Sequence, residues 1–155
     1  MVKEIPTEEY FALVREQLAS EGKAYVRVTG SSMMPLLHHM EDRVVIVPPN
    51  KIRLGDIVLY DRQNGRYALH RVIGKSKSGF SMAGDNQYHI EKNLDYGQII
   101  GVVSAVERGG RLKSSNSFGL RLYTFWVILI SRPRIYIHRA GSKILHPGAV
   151  TEKGD

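Results

Sequence analysis

Cysteine is absent from this sequence, and long apolar runs are nearly so. The first absence excludes disulfides, a thiol nucleophile and cysteine-ligated metal sites. The longest apolar run is residues 122–130, interrupted only by Thr124, and a helix of that length falls well short of a bilayer core of ~30 Å. The N-terminal segment lacks the uninterrupted apolar stretch of a signal peptide. We therefore expect a protein that is cytoplasmic or peripheral at the membrane, with no full transmembrane span.

Recognisable metal and phosphate motifs are also missing. His38 and His39 are adjacent, so on a strand they would point to opposite faces, and no His-Glu-x-x-His spacing occurs. No glycine-rich phosphate loop opens a helix. The sequence therefore predicts neither a metal site nor a cofactor.

The net charge of +7 in 155 residues comes entirely from the last third of the chain. Residues 1–107 hold 13 Lys and Arg against 13 Asp and Glu, whereas residues 108–155 hold 9 against 2. A solvated basic tail would explain this surplus, and so would attraction to anionic lipid or nucleic acid. Because few aromatic residues are interleaved with lysine in this tail, we do not expect a nucleic-acid partner.

The apolar pattern predicts a mainly β fold with a short N-terminal helix. Thr7 followed by two glutamates is typical of a helix start, and Gly22 is typical of a helix end. No helix of crossover length separates the strands that follow, and Asn64-Gly65 is a hairpin signal, so the strands are expected to be antiparallel. The six or so predicted strands span residues 24–28, 43–47, 57–60, 66–74, 80–84 and 98–108.

The chain divides into three expected parts. They are an N-terminal helix in residues 1–23, a β-rich core in residues 24–108, and a hinge followed by a basic hydrophobic tail in residues 109–155. Within the core, residues 85–97 are predicted to be an irregular connection and Gly101 to form a bulge. The tail is predicted to be helical as far as Arg132, because Pro133 follows.

Two serines stand in a corner bounded by glycine and proline, Gly-Ser-Ser-Met-Met-Pro at residues 30–35. Gly30 permits a tight turn and Pro35 fixes its exit, so the corner can display a serine hydroxyl beside backbone N–H groups that would hold an oxyanion. Met33 and Met34 can floor a shallow apolar pocket, which makes them and Pro35 candidate substrate-binding residues. An ordinary turn is the alternative interpretation.

His70 and Asp85 are the candidates to activate such a serine. His70 lies on the return strand of a predicted hairpin, on the face of Ala68 and Val72 if strand alternation holds, and Asp85 ends the next strand. An imidazole with a pKa of ~6.5 can accept a hydroxyl proton while a carboxylate orients its far nitrogen. A buried structural histidine is the alternative.

Four motifs occur in order over residues 29–103: Gly-Ser-Ser-Met-Met-Pro, Leu-Gly-Asp-Ile-Val-Leu-Tyr, Leu-His-Arg-Val-Ile-Gly and Met-Ala-Gly-Asp-Asn-Gln. Together they resemble the sequence boxes of signal peptidase I, in the peptidase S24/S26 group that also includes the self-cleaving LexA-like repressors. The resemblance implies coiled antiparallel sheets forming a pseudo-barrel. It also implies a serine endopeptidase that cleaves a precursor or leader peptide.

The resemblance assigns a role to each candidate. Ser32 matches the nucleophile, because it directly precedes the first methionine of the box. His70 stands where typical bacterial enzymes carry a lysine base, and histidine there is the pattern of the archaeal, endoplasmic-reticulum and sporulation-type branch. Asp85 is favoured as the orienting acid. That branch has a second acid a few residues later, which makes Glu91 or Asp95 the alternative.

The resemblance also implies a place for the substrate and a structural role for Asp56. Substrate is expected to add as an extended strand near residues 80–84, with Met82 as a further binding residue. The sequence departs from the family in showing no N-terminal membrane anchor. Self-cleavage is not expected, because no Ala-Gly precedes Ser32 and residues 1–23 are too short for a DNA-binding helix-turn-helix.

Two other functions fit the sequence: a catalytically silent peptide-binding module of the same fold, and a protein that binds nucleic acid or membrane through its basic tail. Tyr123 and Trp126 suit a membrane interface, and the flanking arginines suit anionic headgroups. A tail helix packed on the core is the alternative for that segment. The partners expected are therefore a peptide or protein precursor and an anionic membrane surface.

Overall fold

The computed structural model of the chain describes residues 7–63 and 65–130. Its N-terminal helix is α1 (Thr7–Glu21), and a second helix, α2, is described over residues 118–130. A single 3-10 turn spans Tyr96–Gln98. The strands are β1 (Ala24–Arg27), β2 (Asp42–Val47), β3 (Ile57–Asp61), β4 (Tyr67–Ser76), β5 (Gly79–Ala83), β6 (Glu91–Leu94), β7 (Ile99–Arg108) and β8 (Arg111–Ser114).

The eight strands form one sheet in the order β1-β2-β7-β3-β4-β5-β6, with β8 also paired to β7. Every pairing is antiparallel. The mainly β, antiparallel fold expected from the sequence is therefore confirmed. The hairpin that joins β3 to β4 sets Val58 opposite His70 and Tyr60 opposite Ala68, which fixes the surroundings of the histidine.

The sheet coils around two hydrophobic clusters, one on each face of β3. Val58 belongs to one cluster and its neighbour Leu59 to the other, because successive side chains of a strand point to opposite faces. Residues of α1, β1 and β2 close over the Leu59 face. Residues of β4, β5 and β6 close over the Val58 face. Since one continuous sheet supplies both covers, it must bend back over itself, as the expected pseudo-barrel requires.

The predicted helix and strands agree with the structure, apart from end residues, but two strands were missed. β6 lies in the segment predicted to be irregular, because Glu91, Lys92 and Asn93 have low β propensity. It pairs with β5 through Glu91 opposite Met82 and Leu94 opposite Phe80. β8 lies in the predicted hinge. Gly109 and Gly110, both at positive φ, make a tight turn that returns β8 along β7.

The bulge predicted at Gly101 occurs beside it. Leu59 is paired with Gly101 and Tyr60 with Ile99, so the register passes over Ile100. A side chain on Gly101 would place its Cβ 3.0 Å from the carbonyl oxygen of Val47, so glycine allows the strands to approach at this bend.

Helix α2 packs one face on the core and leaves an apolar face exposed. Thr124 and Ile128 lie against Gly55, where an added Cβ would be 2.5 Å and 3.3 Å from their methyl groups. The exposed face is formed by Phe118, Leu122, Phe125, Trp126, Leu129 and Ile130. Within the described residues no helix is long and apolar enough to cross a membrane. The expected end of the tail helix at Arg132 lies outside the described residues.

Candidate active site

Ser32 lies in the corner between β1 and β2. The Met34 N–H donates to the carbonyl of Ser31 (3.1 Å), and the Leu37 N–H donates to the carbonyl of Met33 (3.0 Å), so the backbone turns tightly at the serines. Met33 is 2% exposed and anchors the corner in the core. Ser32 itself is only partly buried. The corner therefore combines a fixed backbone with an accessible hydroxyl, as a nucleophile needs.

The end of β5 supports this corner from outside. The Asn86 N–H donates to the carbonyl oxygen of Ser32 at 2.8 Å. Gly84 lies so close that a Cβ there would be 2.6 Å from that same oxygen and 3.1 Å from the Cβ of Ser32. A third support comes from His39, whose Nδ1 accepts the N–H of Gly30 at 2.8 Å. This role of His39 was not predicted from the sequence.

His70 lies on β4 and lines the same cavity as Ser32. The cavity has a volume of about 850 Å³ and runs between β1 with the serine corner on one side and β3 with β4 on the other. His70 shares its strand face with Ala68 and Val72, as predicted, and is 2% exposed. The structure thus brings the predicted nucleophile and the predicted base to the wall of one cavity, from residues 38 positions apart in the sequence.

The Nδ1 atom of His70 faces a polar cluster on its own side of the sheet. The Tyr60 hydroxyl is 2.9 Å from this nitrogen, and Oε1 of Glu91 is 3.5 Å from it. Arg62 binds Glu91 with both its Nε and a terminal nitrogen, the Nε contact being 3.0 Å. Because Nδ1 is engaged here, Nε2 is the ring nitrogen left for other partners.

Burial dominates the protonation of this cluster. It lowers the pKa of His70 to about 4, even though the charge of Glu91 acts in the opposite direction. Burial also raises the pKa of Tyr60, and its hydrogen bond to Glu91 adds to that rise. For Glu91, burial alone would raise the pKa, but hydrogen bonds from Arg62 and Tyr60 outweigh it and lower the value. At neutral pH the cluster holds a neutral imidazole, a neutral phenol and a carboxylate.

Asp85, the acid favoured from the sequence, is engaged elsewhere. Nε and a terminal nitrogen of Arg71 each donate to a carboxylate oxygen of Asp85 at 2.7 Å, and both side chains are 1% exposed. Arg71 follows His70 on the strand, so the two side chains point to opposite faces. The described contacts therefore pair Asp85 with Arg71, and they place Glu91, the alternative acid, beside the imidazole.

The other predicted site residues lie in different parts of the structure. Met33 lines the cavity, whereas Met34 and Pro35 do not. Met82 has no exposed surface and packs in the core cluster. Asp95 caps the 3-10 turn. Asp56 accepts the backbone N–H of Arg53 at 2.7 Å, consistent with the structural role implied for it.

Residues 80–84 also differ from the expected substrate edge. Strand β5 is paired on one side with β4 and on the other with β6 through Phe80 and Met82. Both of its edges are therefore occupied over residues 80–82, which leaves no free edge there for an added strand.

Three side chains that bind the predicted site residues were not predicted from the sequence: Tyr60, Arg62 and Arg71. A signal for Tyr60 existed, because a hairpin with Tyr60 opposite Ala68 sets Tyr60 and His70 on one face as diagonal neighbours. The two arginines gave no comparable signal, since their partners come from other strands and connections.

The described residues contain no group of three or more His, Asp or Glu side chains that could hold a metal ion. A family model described as Peptidase S24-like matches residues 1–104, from α1 into β7. The chain belongs to the Peptidase S24-like family. This S24-like match includes the serine corner, His70 and Glu91, and by family the chain carries a peptidase-type domain. A search of curated proteins found no match to the chain.

Proposed function

We propose that this S24-like protein is a serine endopeptidase of the signal peptidase-like Ser-His branch, with Ser32 as nucleophile and His70 as general base. The observation that carries the proposal is the shared cavity, which is lined by both Ser32 and His70. A histidine where typical bacterial enzymes carry a lysine supports the Ser-His branch, because an unprotonated imidazole nitrogen can take the hydroxyl proton during the attack.

The protonation state of His70 supports its role as the base. Burial lowers the pKa of His70 to about 4, so nearly all of the imidazole is unprotonated at neutral pH. Nε2 of His70 takes the proton from the hydroxyl of Ser32 as Oγ attacks the scissile carbonyl carbon. The same nitrogen then gives that proton to the leaving amine. In the second half of the reaction, His70 takes a proton from the water that attacks the acyl-enzyme and returns it to Oγ of Ser32 as the acyl product leaves.

The oxyanion needs preorganised donors beside the nucleophile. The backbone N–H of Ser32 has no acceptor among the residues described. The Ser32 carbonyl, in contrast, is fixed by Asn86. We infer that the Ser32 N–H, with a neighbouring donor, stabilises the negative charge that develops on the carbonyl oxygen.

Two free strand edges indicate how a substrate would lie. Among the described strands, β1 pairs only with β2, and residues 67–70 of β4 pair with β3 but not with β5. Both edges line the cavity: Val26 lies on the β1 edge and Leu69 on the β4 edge. An extended peptide between them would gain backbone hydrogen bonds from either edge, with its scissile bond over Ser32. This groove replaces the edge near residues 80–84 as the proposed substrate path.

Cleavage of a defined library of synthetic peptides, read by mass spectrometry, tests the proposal. We expect the wild-type protein to cleave a subset of the library, Ser32→Ala and His70→Gln to cleave none, and Ser31→Ala to retain cleavage. Ser31→Ala is the matched control, because it removes the neighbouring hydroxyl of the same corner. An uncleaved library with tight binding of some peptides would instead establish the silent peptide-binding module.

The exposed face of α2 supports an anionic membrane surface as a partner. Phe125 is 60% exposed and Trp126 is 52% exposed, although large apolar side chains on one face are costly to leave in water. Residues 108–130 contain four Lys and Arg and no acid, so the charge around this face favours anionic headgroups. We propose that α2 lies in the membrane surface plane while its other face stays on the core.

The chain has a single tryptophan, Trp126, so its fluorescence can report membrane binding by the full-length protein. We expect the fluorescence of Trp126 to shift to the blue on addition of vesicles containing phosphatidylglycerol, and to shift less at high salt or with phosphatidylcholine alone. Phe125→Ser should weaken binding. Leu112→Ser is the matched control, because Leu112 is 61% exposed on β8. An unchanged spectrum with anionic vesicles would remove the membrane partner.

A further inference from the structure

We propose that Tyr60 is a positioning residue that links Glu91 to His70: it accepts a hydrogen bond from Nδ1–H of His70 and donates its hydroxyl hydrogen to Glu91. The inference rests on the proposed function for its consequence, the orientation of a catalytic base. Its geometry stands separately, on two contacts of Nδ1 of His70, one to the Tyr60 hydroxyl and one to Glu91. In this site the group that orients His70 is a phenol, which is itself hydrogen-bonded to a carboxylate.

The position of the imidazole proton follows from the groups that face Nδ1 of His70. A neutral imidazole carries one N–H donor and one bare acceptor nitrogen. Nδ1 of His70 lies 2.9 Å from the oxygen of Tyr60 and 3.5 Å from Oε1 of Glu91. Glu91 is held as a carboxylate by Arg62 and can only accept. A bare lone pair on Nδ1 would face this negative oxygen, so the hydrogen belongs on Nδ1.

The direction of the Tyr60 hydroxyl follows from the hydrogen on Nδ1 of His70. A phenol has one hydrogen to donate and can also accept. Because Nδ1 already carries a hydrogen, the hydroxyl hydrogen cannot point at it and turns to the carboxylate of Glu91. The shifts described above agree with this direction, since the Tyr60–Glu91 hydrogen bond raises the pKa of Tyr60 and lowers that of Glu91.

The hydrogen on Nδ1 determines the state of the other ring nitrogen, Nε2. With Nδ1 protonated, Nε2 of His70 is the acceptor, which is the tautomer a general base for Ser32 requires. When the imidazole gains a second proton, the Nδ1–H bond to Tyr60 strengthens, and the charge of Glu91 is felt through it. Tyr60 has no exposed surface, so it acts through His70 and does not contact substrate.

The tautomer can be measured on the intact protein. Long-range proton–nitrogen correlation spectra of protein with labelled histidine, assigned with His70→Gln, should show His70 protonated on Nδ1 at pH 7. In Tyr60→Phe we expect the population of this tautomer to fall. A wild-type His70 protonated on Nε2 would overturn the proposal, and it would do so whether or not the protein cleaves peptides.

Kinetics on the best-cleaved library peptide tests the consequence. We expect Tyr60→Phe to lower kcat by at least about 10-fold with little change in KM. Tyr96→Phe is the matched control, because Tyr96 is exposed and outside the cavity. Since Glu91 is proposed to act through Tyr60, Glu91→Gln added to Tyr60→Phe should lower kcat little further. Fully additive losses would mean that Glu91 acts directly, and would overturn the link.

The two proposals fail in different ways. If no library peptide is cleaved and Ser32→Ala is indistinguishable from wild type, the proposed function fails while the tautomer measurement keeps its meaning. If peptides are cleaved but Tyr60→Phe retains wild-type kcat and tautomer, only the role of Tyr60 is lost.

Discussion

Arg71 and Asp85 form a two-contact ion pair with side chains that are each 1% exposed. The same guanidinium donates to the carbonyl of Gly55 at 2.8 Å and to the hydroxyl of Thr124 at 2.9 Å. The ring of Tyr123 lies over it, 5.7 Å away. This pair therefore joins β4, the end of β5 and helix α2, on the face of β4 opposite to His70.

Asp85→Asn is expected to destabilise the protein strongly, because it leaves the buried charge of Arg71 without its partner. We expect the free energy of unfolding at pH 7 to fall by about 3–5 kcal/mol, measured by urea denaturation. Glu107→Gln, which removes the partner of Arg43 in a partly exposed pair, should cost less than about 1 kcal/mol. A stable Asp85→Asn protein without peptidase activity would instead support the acid role that the sequence favoured.

Gly84→Ala is expected to displace Ser32. The added Cβ would lie 2.6 Å from the carbonyl oxygen of Ser32, which is closer than real Cβ contacts allow, so the corner must move. A misplacement of about 1 Å at a nucleophile lowers the rate by up to about 100-fold. We expect kcat/KM for the best-cleaved peptide to fall by at least about 10-fold.

Gly97→Ala is the control for that variant, because a Cβ on Gly97 meets no atom within 4 Å. Equal activity in the two alanine variants would show that Ser32 does not depend on the close approach of Gly84.

The protein should become less stable as the pH falls, because the His70 imidazole is protonated more readily in the unfolded state than in the folded state. Above pH ~6.5 this group is neutral in both the folded and unfolded states. Its pKa in the folded protein is about 4, so between these values the unfolded state binds a proton that the folded state does not. From pH 7 to pH 5 this group alone should cost about 2 kcal/mol of unfolding free energy.

Comparison of wild type with His70→Gln isolates this contribution, because the other titrations are common to both proteins. The charged and titratable groups that act on His70 are Tyr60, Arg62, Asp85, His89 and Glu91. Urea denaturation at pH 7 and pH 5 should show a smaller acid loss in His70→Gln. Equal losses in the two proteins would contradict the low pKa of His70.

The pH profile of peptide cleavage follows from the same pKa. The profile of kcat/KM reports the base of the free enzyme, and His70, the proposed base, has a pKa of about 4. We expect kcat/KM for the best-cleaved peptide to be constant from pH 8 down to about pH 5, where an ordinary histidine would already have lost most of its activity. A midpoint near pH 6.5 would show that the base is solvated, or is another group.

The sequence alone predicted much of the sheet, because most of its strands are β-branched runs bounded by turn residues. It missed β6, whose first three residues are polar, and β8, whose residues are all exposed and follow two glycines. In both cases pairing with a neighbouring strand outweighs weak local propensity. Strand alternation also predicted correctly that His70 shares one face of its strand with Ala68 and Val72.

By itself the sequence determined the chemistry available to this protein: a serine corner without cysteine, a histidine on an apolar strand face, and three acids further along the chain. It could not decide which acid meets the imidazole, because that depends on the face of the sheet from which each side chain projects and on pairing between distant strands. The tertiary structure decided this by setting Asp85 against Arg71 on one face and Glu91, with Tyr60, against His70 on the other. A shift of one residue in register would exchange those faces, which is why residue types and spacing alone left the choice open.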